Sequence, residues 1–78
     1  MHTVYILLCR DGKHYIGCTG NFSKRLENHR QGQVSFTKSR LPFEVLVTIN
    51  FHCKYKAYLF EKYLKSGSGR AFGKRHFY

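Results

Sequence analysis

Apolar residues near the start of the chain form two short runs that predict two β-strands. The first run, from Val4 to Cys9, is apolar and partly β-branched, and the second covers His14 to Gly17. Residues 10–12 read Arg-Asp-Gly, a composition typical of a tight turn. The pattern therefore predicts a β-hairpin.

The length of the turn decides which face of the hairpin each side chain occupies, because side chains alternate along a strand. A two-residue turn would put Tyr5 and Tyr15 on opposite faces. A three-residue turn, with Gly12 in the left-handed conformation, would put both tyrosines on one face. The tyrosine face would then also carry Leu7, Cys9 and Gly17, and the core face Ile6, Leu8 and Ile16. Only the three-residue turn can build a site from both tyrosines.

The next segment has the signals of a helix. Asn21 is a suitable N-cap, the segment from Phe22 to Gln31 follows it, and Gly32 suits the left-handed position after a helix end. Arg25 and His29 lie on or beside the stripe that should be buried, where a cation costs free energy unless it is paired. Alternatively, Arg25 lays its aliphatic stem over the sheet and keeps its charge in water.

The middle of the chain predicts a loop and then a third strand. Residues 33–41 are polar and basic and are followed by Pro42, so we expect a loop there. The segment from Glu44 to Phe51 is rich in Val and Ile, which predicts a strand with Val45, Val47 and Ile49 on one face.

The remaining segments predict a helix and a basic tail. The segment from Lys54 to Lys65 has a helical apolar stripe that contains Ala57, Phe60 and Leu64. Glu61 falls inside this stripe, so we expect a partly buried carboxylate that faces the tyrosines. Residues 66–69 read Ser-Gly-Ser-Gly, a composition typical of a flexible connector. Residues 70–78 form a basic, aromatic tail long enough for one more short helix.

Length, charge and cysteines narrow the function classes. A chain of 78 residues makes one thin-cored domain over residues 1–78. Lys and Arg number 14 against 4 acidic residues, a formal charge of +10 that favours a nucleic acid partner.

The three cysteines, Cys9, Cys18 and Cys53, do not have the spacing of a zinc site or of a disulfide framework. No run is long enough for a signal peptide or a membrane span, so we expect a cytoplasmic protein without a membrane partner.

Two tyrosine motifs and a helical arginine carry a family resemblance. Val4-Tyr5-Ile6 and Tyr15-Ile16-Gly17 flank the predicted turn, and Arg25 and His29 follow at helical spacing. From Val4 to about residue 65 the chain resembles small stand-alone members of the GIY-YIG nuclease family. The resemblance implies an α/β fold with a three-stranded, largely antiparallel sheet flanked by helices. It also implies a metal-dependent endonuclease that hydrolyses DNA.

The same resemblance implies the residues of the active site, which are Tyr5, Tyr15, Arg25, His29 and Glu61. Glu61 would hold one Mg²⁺ or Mn²⁺ ion, and the guanidinium of Arg25 would bind two phosphate oxygens through its planar fork of donors. His29 would orient a tyrosine hydroxyl or relay a proton. One tyrosine would act as the general base, and the sequence leaves open which one. A surface histidine and an exposed helix ion pair between Glu61 and Lys65 are the simpler interpretations of those two residues.

The sequence also suggests where nucleic acid binds. Gly17 would allow close approach of the backbone, either to substrate or to the helix. The basic candidates for phosphate contacts are Lys24, Lys38, Arg40, Lys62, Arg70, Lys74 and Arg75. Two alternatives remain, a non-catalytic nucleic-acid-binding module on this fold and a small RNA-binding protein with another fold. Oligomeric state stays open between a monomer and a weak homodimer.

Overall fold

A computed structural model describes all residues from Met1 to Tyr78 and shows a three-stranded antiparallel sheet flanked by helices, as the sequence predicts. The spatial order of the strands is β2-β1-β3, so β2 is an edge strand beside the central β1. None of the helices has the combination of length and hydropathy that a membrane crossing requires. The elements are β1 (His2–Cys9), β2 (His14–Thr19), α1 (Phe22–Arg30), α2 (Ser35–Lys38), β3 (Phe43–Phe51), α3 (Lys54–Leu64) and α4 (Gly67–His76).

The hairpin turn has the predicted three residues. The Cys9 amide donates to the carbonyl of Lys13 at 2.9 Å, and Gly12 between them has φ +83°, the left-handed conformation that glycine adopts without a steric penalty. Residue pairing places Tyr5 opposite Gly17 and Leu7 opposite Tyr15. Tyr5 and Tyr15 therefore project from one face, and the prediction from turn length is confirmed.

Each face of the sheet is covered by different helices. Val4 and Ile6 on one face form the core with Ala57 and Leu64 of α3. Tyr5, which is fully buried on the other face, lies against the side chains of α1. Of the residues expected on the core face, Ile6 is buried, and Ile16 and Leu8 are only partly buried.

A β-bulge in the pairing of β1 with β3 changes the predicted face pattern of the third strand. Ile6 pairs with Val47 but Leu7 pairs with Val45, so Leu46 is the extra residue. Consecutive residues of β1 point to opposite faces, and Val45 therefore lies on the opposite face from Val47. The prediction of one shared face for Val45, Val47 and Ile49 is wrong for Val45.

Two segments predicted to be irregular are helical. Residues 35–38 form a single helical turn inside the predicted loop, and so short an element carries no periodic signal in the sequence. The last helix begins within the Gly-Ser stretch, where the Ser66 hydroxyl accepts from the Gly69 amide at 3.2 Å and caps it. A Cβ at Gly69 would overlap the carbonyl of Tyr63, so the glycine allows α4 to pack against the end of α3.

Candidate active site

The buried ring of Tyr5 lies directly over Gly17 on the neighbouring strand. A Cβ at position 17 would come within 2.5 Å of the Tyr5 Cζ and Oη atoms, so only glycine leaves room for the ring. Gly17 is itself buried. The close approach expected at this glycine is thus made by the ring of Tyr5, and this packing fixes the position of the Tyr5 hydroxyl.

Arg25 joins the two tyrosines. Its Nε donates to Tyr5 Oη and its Nη2 donates to Tyr15 Oη, both at 3.3 Å. The α1 helix brings Arg25 here because the Asn21 side chain caps it, accepting from the Lys24 amide at 3.2 Å, as the sequence predicts. The guanidinium retains N–H donors that neither tyrosine uses.

His29 lies one turn after Arg25 and continues the hydrogen-bond chain into the protein interior. It is fully buried, with Nε2 at 2.9 Å from Tyr5 Oη and Nδ1 at 2.8 Å from Thr37 Oγ1. The Thr37 hydroxyl donates to the carbonyl of Val34 at 3.4 Å, so it accepts the Nδ1 proton. His29 Nε2 is consequently the acceptor for the Tyr5 hydroxyl proton. The simpler interpretation of His29 as a surface residue is wrong.

The pKa shifts at this site agree with that assignment. Burial raises the pKa of Tyr5 to about 12, although the hydrogen bond from Arg25 acts in the opposite direction. Burial, with a smaller effect from the Arg25 charge, lowers the pKa of His29 from 6.5 to about 4. Near neutral pH both groups are therefore uncharged, with Tyr5 a phenol and His29 a neutral imidazole. Arg25 remains the charged group of the cluster.

Acid should destabilise the fold through His29. The pKa of His29 is lower in the folded chain, so the unfolded chain binds the extra proton first, and stability falls as pH drops from 6.5 through about 4. At about 1.4 kcal/mol per pKa unit, the loss could reach about 3 kcal/mol. Thermal unfolding as a function of pH measures this. The variant His29→Gln should lose most of this pH dependence and the exposed control His52→Gln should keep it, whereas equal behaviour of the two variants would contradict the assignment.

Glu61 does not join the four residues on the tyrosine face. It belongs to α3, which packs on the opposite face of the sheet, and its Oε2 accepts from Lys65 Nζ at 2.8 Å. The expected partial burial is confirmed, since the Glu61 side chain is only 16% exposed. The expectation that it faces the tyrosines and Arg25 is wrong. The apolar stripe of α3 packs against Val4 and Ile6, and the two tyrosines project from the opposite face of the sheet. The α3 helix contacts edge strand β2 as well as β1, and the Glu61 carboxylate, together with burial as the larger cause, raises the pKa of the Cys18 thiol on β2.

The surroundings of Glu61 suit a divalent metal ion that is bound by one carboxylate, by waters and by the substrate. The structure contains no cluster of three His, Cys, Asp or Glu side chains that could hold a metal ion. Mg²⁺ commonly keeps several waters and uses one or two carboxylates together with substrate phosphates. A single, largely buried carboxylate such as Glu61 fits that mode, and the Lys65 ammonium competes with a metal ion for it.

The basic candidates for phosphate contacts occupy different environments. Arg40 is already engaged, with Nε at 2.9 Å from Asp11 Oδ2 and its guanidinium carbon 4.2 Å from the centre of the Phe36 ring. Lys62 lies over the ring of Tyr58 at 5.4 Å. Arg70 and Lys74 line one groove at the end of the sheet. Lys24, Lys38 and Arg75 are exposed.

Thr37 is a residue of the site that sequence reasoning missed. Its side chain is fully buried and holds His29 Nδ1, although it lies within the polar segment predicted as a loop. No sequence signal marks it, since a threonine in a polar segment normally faces water. Phe36 lies in the same predicted loop and was also missed, and its ring lies 5.5 Å from the ring of Tyr15.

Known proteins resemble this chain over most of its length. The family profile of the GIY-YIG catalytic domain matches residues 1–75. A UPF0213 protein of Bacillus licheniformis is 40% identical over 65 residues, which are 82% of this chain and 67% of that protein. A UPF0213 protein of Oceanobacillus iheyensis is 46% identical over 57 residues, 72% of this chain and 66% of that protein.

A solved structure shows the same fold. The solution NMR structure of a UPF0213 protein from Bacillus halodurans has a TM-score of 0.61 and 35% identity, covering 94% of this chain and 79% of that chain. The chain spans about two thirds of the length of the two curated relatives described above.

Proposed function

The chain belongs to the GIY-YIG catalytic domain family, a family of nucleases, and from this premise we propose that it is a metal-dependent endonuclease that hydrolyses DNA phosphodiester bonds. The catalytic residues are Tyr15 and Arg25 on one side of edge strand β2 and Glu61 on the other. Tyr5 and His29 position them. We place the substrate phosphate at the edge of β2, because Tyr15 belongs to this strand and α3, the helix that carries Glu61, contacts it.

The observation that carries this proposal is the uncompensated charge of Arg25. The chain has two ion pairs, Arg40 with Asp11 and Lys65 with Glu61, and neither includes Arg25. A half-buried guanidinium without a carboxylate is costly unless an anion completes its hydrogen bonds. A phosphate presents two oxygens that match the free donors of the planar fork. Arg25 therefore binds the scissile phosphate and stabilises the charge that develops during hydrolysis.

The two tyrosines have different tasks. Tyr5 is fully buried, its proton is held by His29 and its pKa is about 12, so it serves as a fixed support for Arg25. Tyr15 is half-buried and its Oη accepts from Arg25 Nη2, which stabilises negative charge on that oxygen. Tyr15 is therefore the general base. In its phenolate form, with the Arg25 guanidinium as counter-charge, its oxygen takes the proton from the attacking water and becomes a phenol.

Glu61 supplies the metal ligand in this proposal. An ion such as Mg²⁺ at this carboxylate would neutralise charge on the phosphate and assist the leaving oxygen. Since the protein offers a single carboxylate, metal affinity should be low until the substrate adds its own oxygens. Lys65 keeps the carboxylate neutralised in the free protein.

Incubation with supercoiled plasmid tests the proposal directly. We expect nicking in Mg²⁺ or Mn²⁺ and none in EDTA. Because Tyr15 accepts a proton and Tyr5 only positions Arg25, Tyr15→Phe should lose at least about tenfold more activity than Tyr5→Phe. Folding of both variants is checked by thermal unfolding. The reverse order of activities would make Tyr5 the base.

A non-catalytic nucleic-acid-binding module is the second candidate, and the ion pair of Glu61 with Lys65 favours it. In that case Arg25 binds a phosphate without cleavage of the strand. The plasmid assay separates the two candidates. Binding to DNA without nicking in either metal, by a protein with a normal melting transition, would establish the binding module.

A further inference from the structure

A groove outside the tyrosine site lies between the tip of the hairpin and α4. Its volume is about 470 Å³. It combines three cations with three aromatic rings, and its lining residues are Lys13, His14, Phe36, Arg70, Lys74 and Tyr78. This combination of charge and flat apolar surface is the one that single-stranded nucleic acids use, with phosphates on the cations and bases on the rings.

The cations of the groove have no acidic partner of their own. Arg70 and Lys74 are one turn apart on α4, both are exposed, and neither takes part in an ion pair. The carboxylate near Lys13 is that of Asp11, and Arg40 already holds it at 2.9 Å. The groove therefore carries a net positive charge that an anionic chain can neutralise.

The rings of the groove are held in place by one another. Tyr78 stacks on His14 with ring centres 4.0 Å apart and an angle of 19° between the planes, and it is 39% exposed. The Tyr78 ring also lies against Gly73, where a Cβ would come within 2.9 Å of it. Tyr78 thus presents a fixed surface in the groove, and a fixed ring loses little entropy when a base stacks on it.

Phe36 connects the groove to the candidate active site. Its ring lines the groove and also lies 5.5 Å from the ring of Tyr15. His14 and Tyr15 are consecutive in edge strand β2, so they point to opposite faces of the sheet. The groove accordingly passes around the edge of β2 and ends beside the general base.

We propose that this groove binds an unpaired stretch of the substrate strand next to the scissile phosphate. Lys13, Arg70 and Lys74 contact its phosphates, and a base stacks against Tyr78. This inference rests on the proposed function, and it adds a substrate class, namely DNA with a single-stranded segment beside the cleavage position. A fully paired blunt duplex cannot offer a base to the groove without fraying.

Binding measurements with the full chain in EDTA test the groove without any need for cleavage. Fluorescence anisotropy compares a short single-stranded oligonucleotide with a blunt duplex. The variant Arg70→Gln with Lys74→Gln should bind the single strand at least about tenfold more weakly, and its log-log salt slope should fall by about 1.4, or about 0.7 per lost contact. The matched control, Lys54→Gln with Lys56→Gln, removes two charges from the exposed start of α3 and should change affinity much less. Equal losses in both double variants would overturn the proposal.

Substitution of the ring separates stacking from charge. Tyr78→Phe should keep the preference for the single strand, and Tyr78→Leu should reduce it severalfold while duplex binding stays unchanged. A melting transition confirms that each variant is folded. If a free nucleoside monophosphate competes as well as the oligonucleotide does, the groove is a small-ligand site and the strand proposal is wrong. If the wild-type protein does not cleave but the groove variants lose binding as stated, the groove stands and the nuclease proposal fails.

Discussion

Glu61→Gln should abolish metal-dependent cleavage while DNA binding persists. Glutamine keeps the shape and the hydrogen-bonding capacity of the side chain, but it removes the charge that would hold Mg²⁺. No other carboxylate forms a ligand cluster with Glu61, so the loss has no compensation within the chain. Binding should become equal or tighter, because a negative charge near the phosphate is gone. Plasmid nicking and anisotropy on the same protein sample measure both effects.

A matched control for this variant is Glu44→Gln, which removes one carboxylate from an exposed position on β3. It should cleave at the wild-type rate. Removal of the competing cation by Lys65→Gln should lower the Mg²⁺ concentration needed for half-maximal nicking, since the carboxylate is then free. Full activity in a folded Glu61→Gln protein would exclude Glu61 as the metal ligand.

Arg25→Lys should reduce cleavage nearly as much as Arg25→Ala does. The guanidinium reaches Tyr5 Oη and Tyr15 Oη at 3.3 Å through two different nitrogens and still has donors for a phosphate. The single ammonium group of lysine cannot hold both hydroxyls and a phosphate in one plane. Loss of one such transition-state contact costs about 10²–10³ in rate. Single-turnover cleavage rates at saturating protein measure it.

The control for this substitution lies on the same helix. Arg30→Lys changes an exposed arginine whose guanidinium is 6.0 Å from the centre of the Phe43 ring, and it should leave the rate unchanged. A near-normal rate for Arg25→Lys would mean that Arg25 supplies only positive charge or packing.

Local signals in the sequence were sufficient to predict the tyrosine face of the site. The parity of a three-residue turn and the left-handed Gly12 place Tyr5 and Tyr15 together, and the cap at Asn21 places Arg25 over them. Each of these features depends on residues that are close in sequence, which is why it can be read from the chain. The positions of these side chains do not by themselves say which one binds the phosphate or acts as the base. The resemblance to the GIY-YIG family suggested those roles.

The features that could not be predicted depend on contacts between distant segments. The bulge at Leu46 is set by the packing of β3, and the burial of Thr37 depends on where α2 lies against His29. The start of α4 depends on Gly69 fitting against Tyr63. The orientation of Glu61 is a further case, because an apolar stripe shows that one side of α3 is buried but not which face of the sheet it covers.

The unpaired charge of Arg25 also makes the folding equilibrium of this domain depend on its surroundings. An anion that binds only the native state shifts that equilibrium by mass action, by about 2.7 kcal/mol at a hundredfold excess over its Kd. The free energy of unfolding of a domain of 78 residues is typically only a few kcal/mol. We therefore expect its melting temperature to rise with polyanion concentration and to depend on ionic strength.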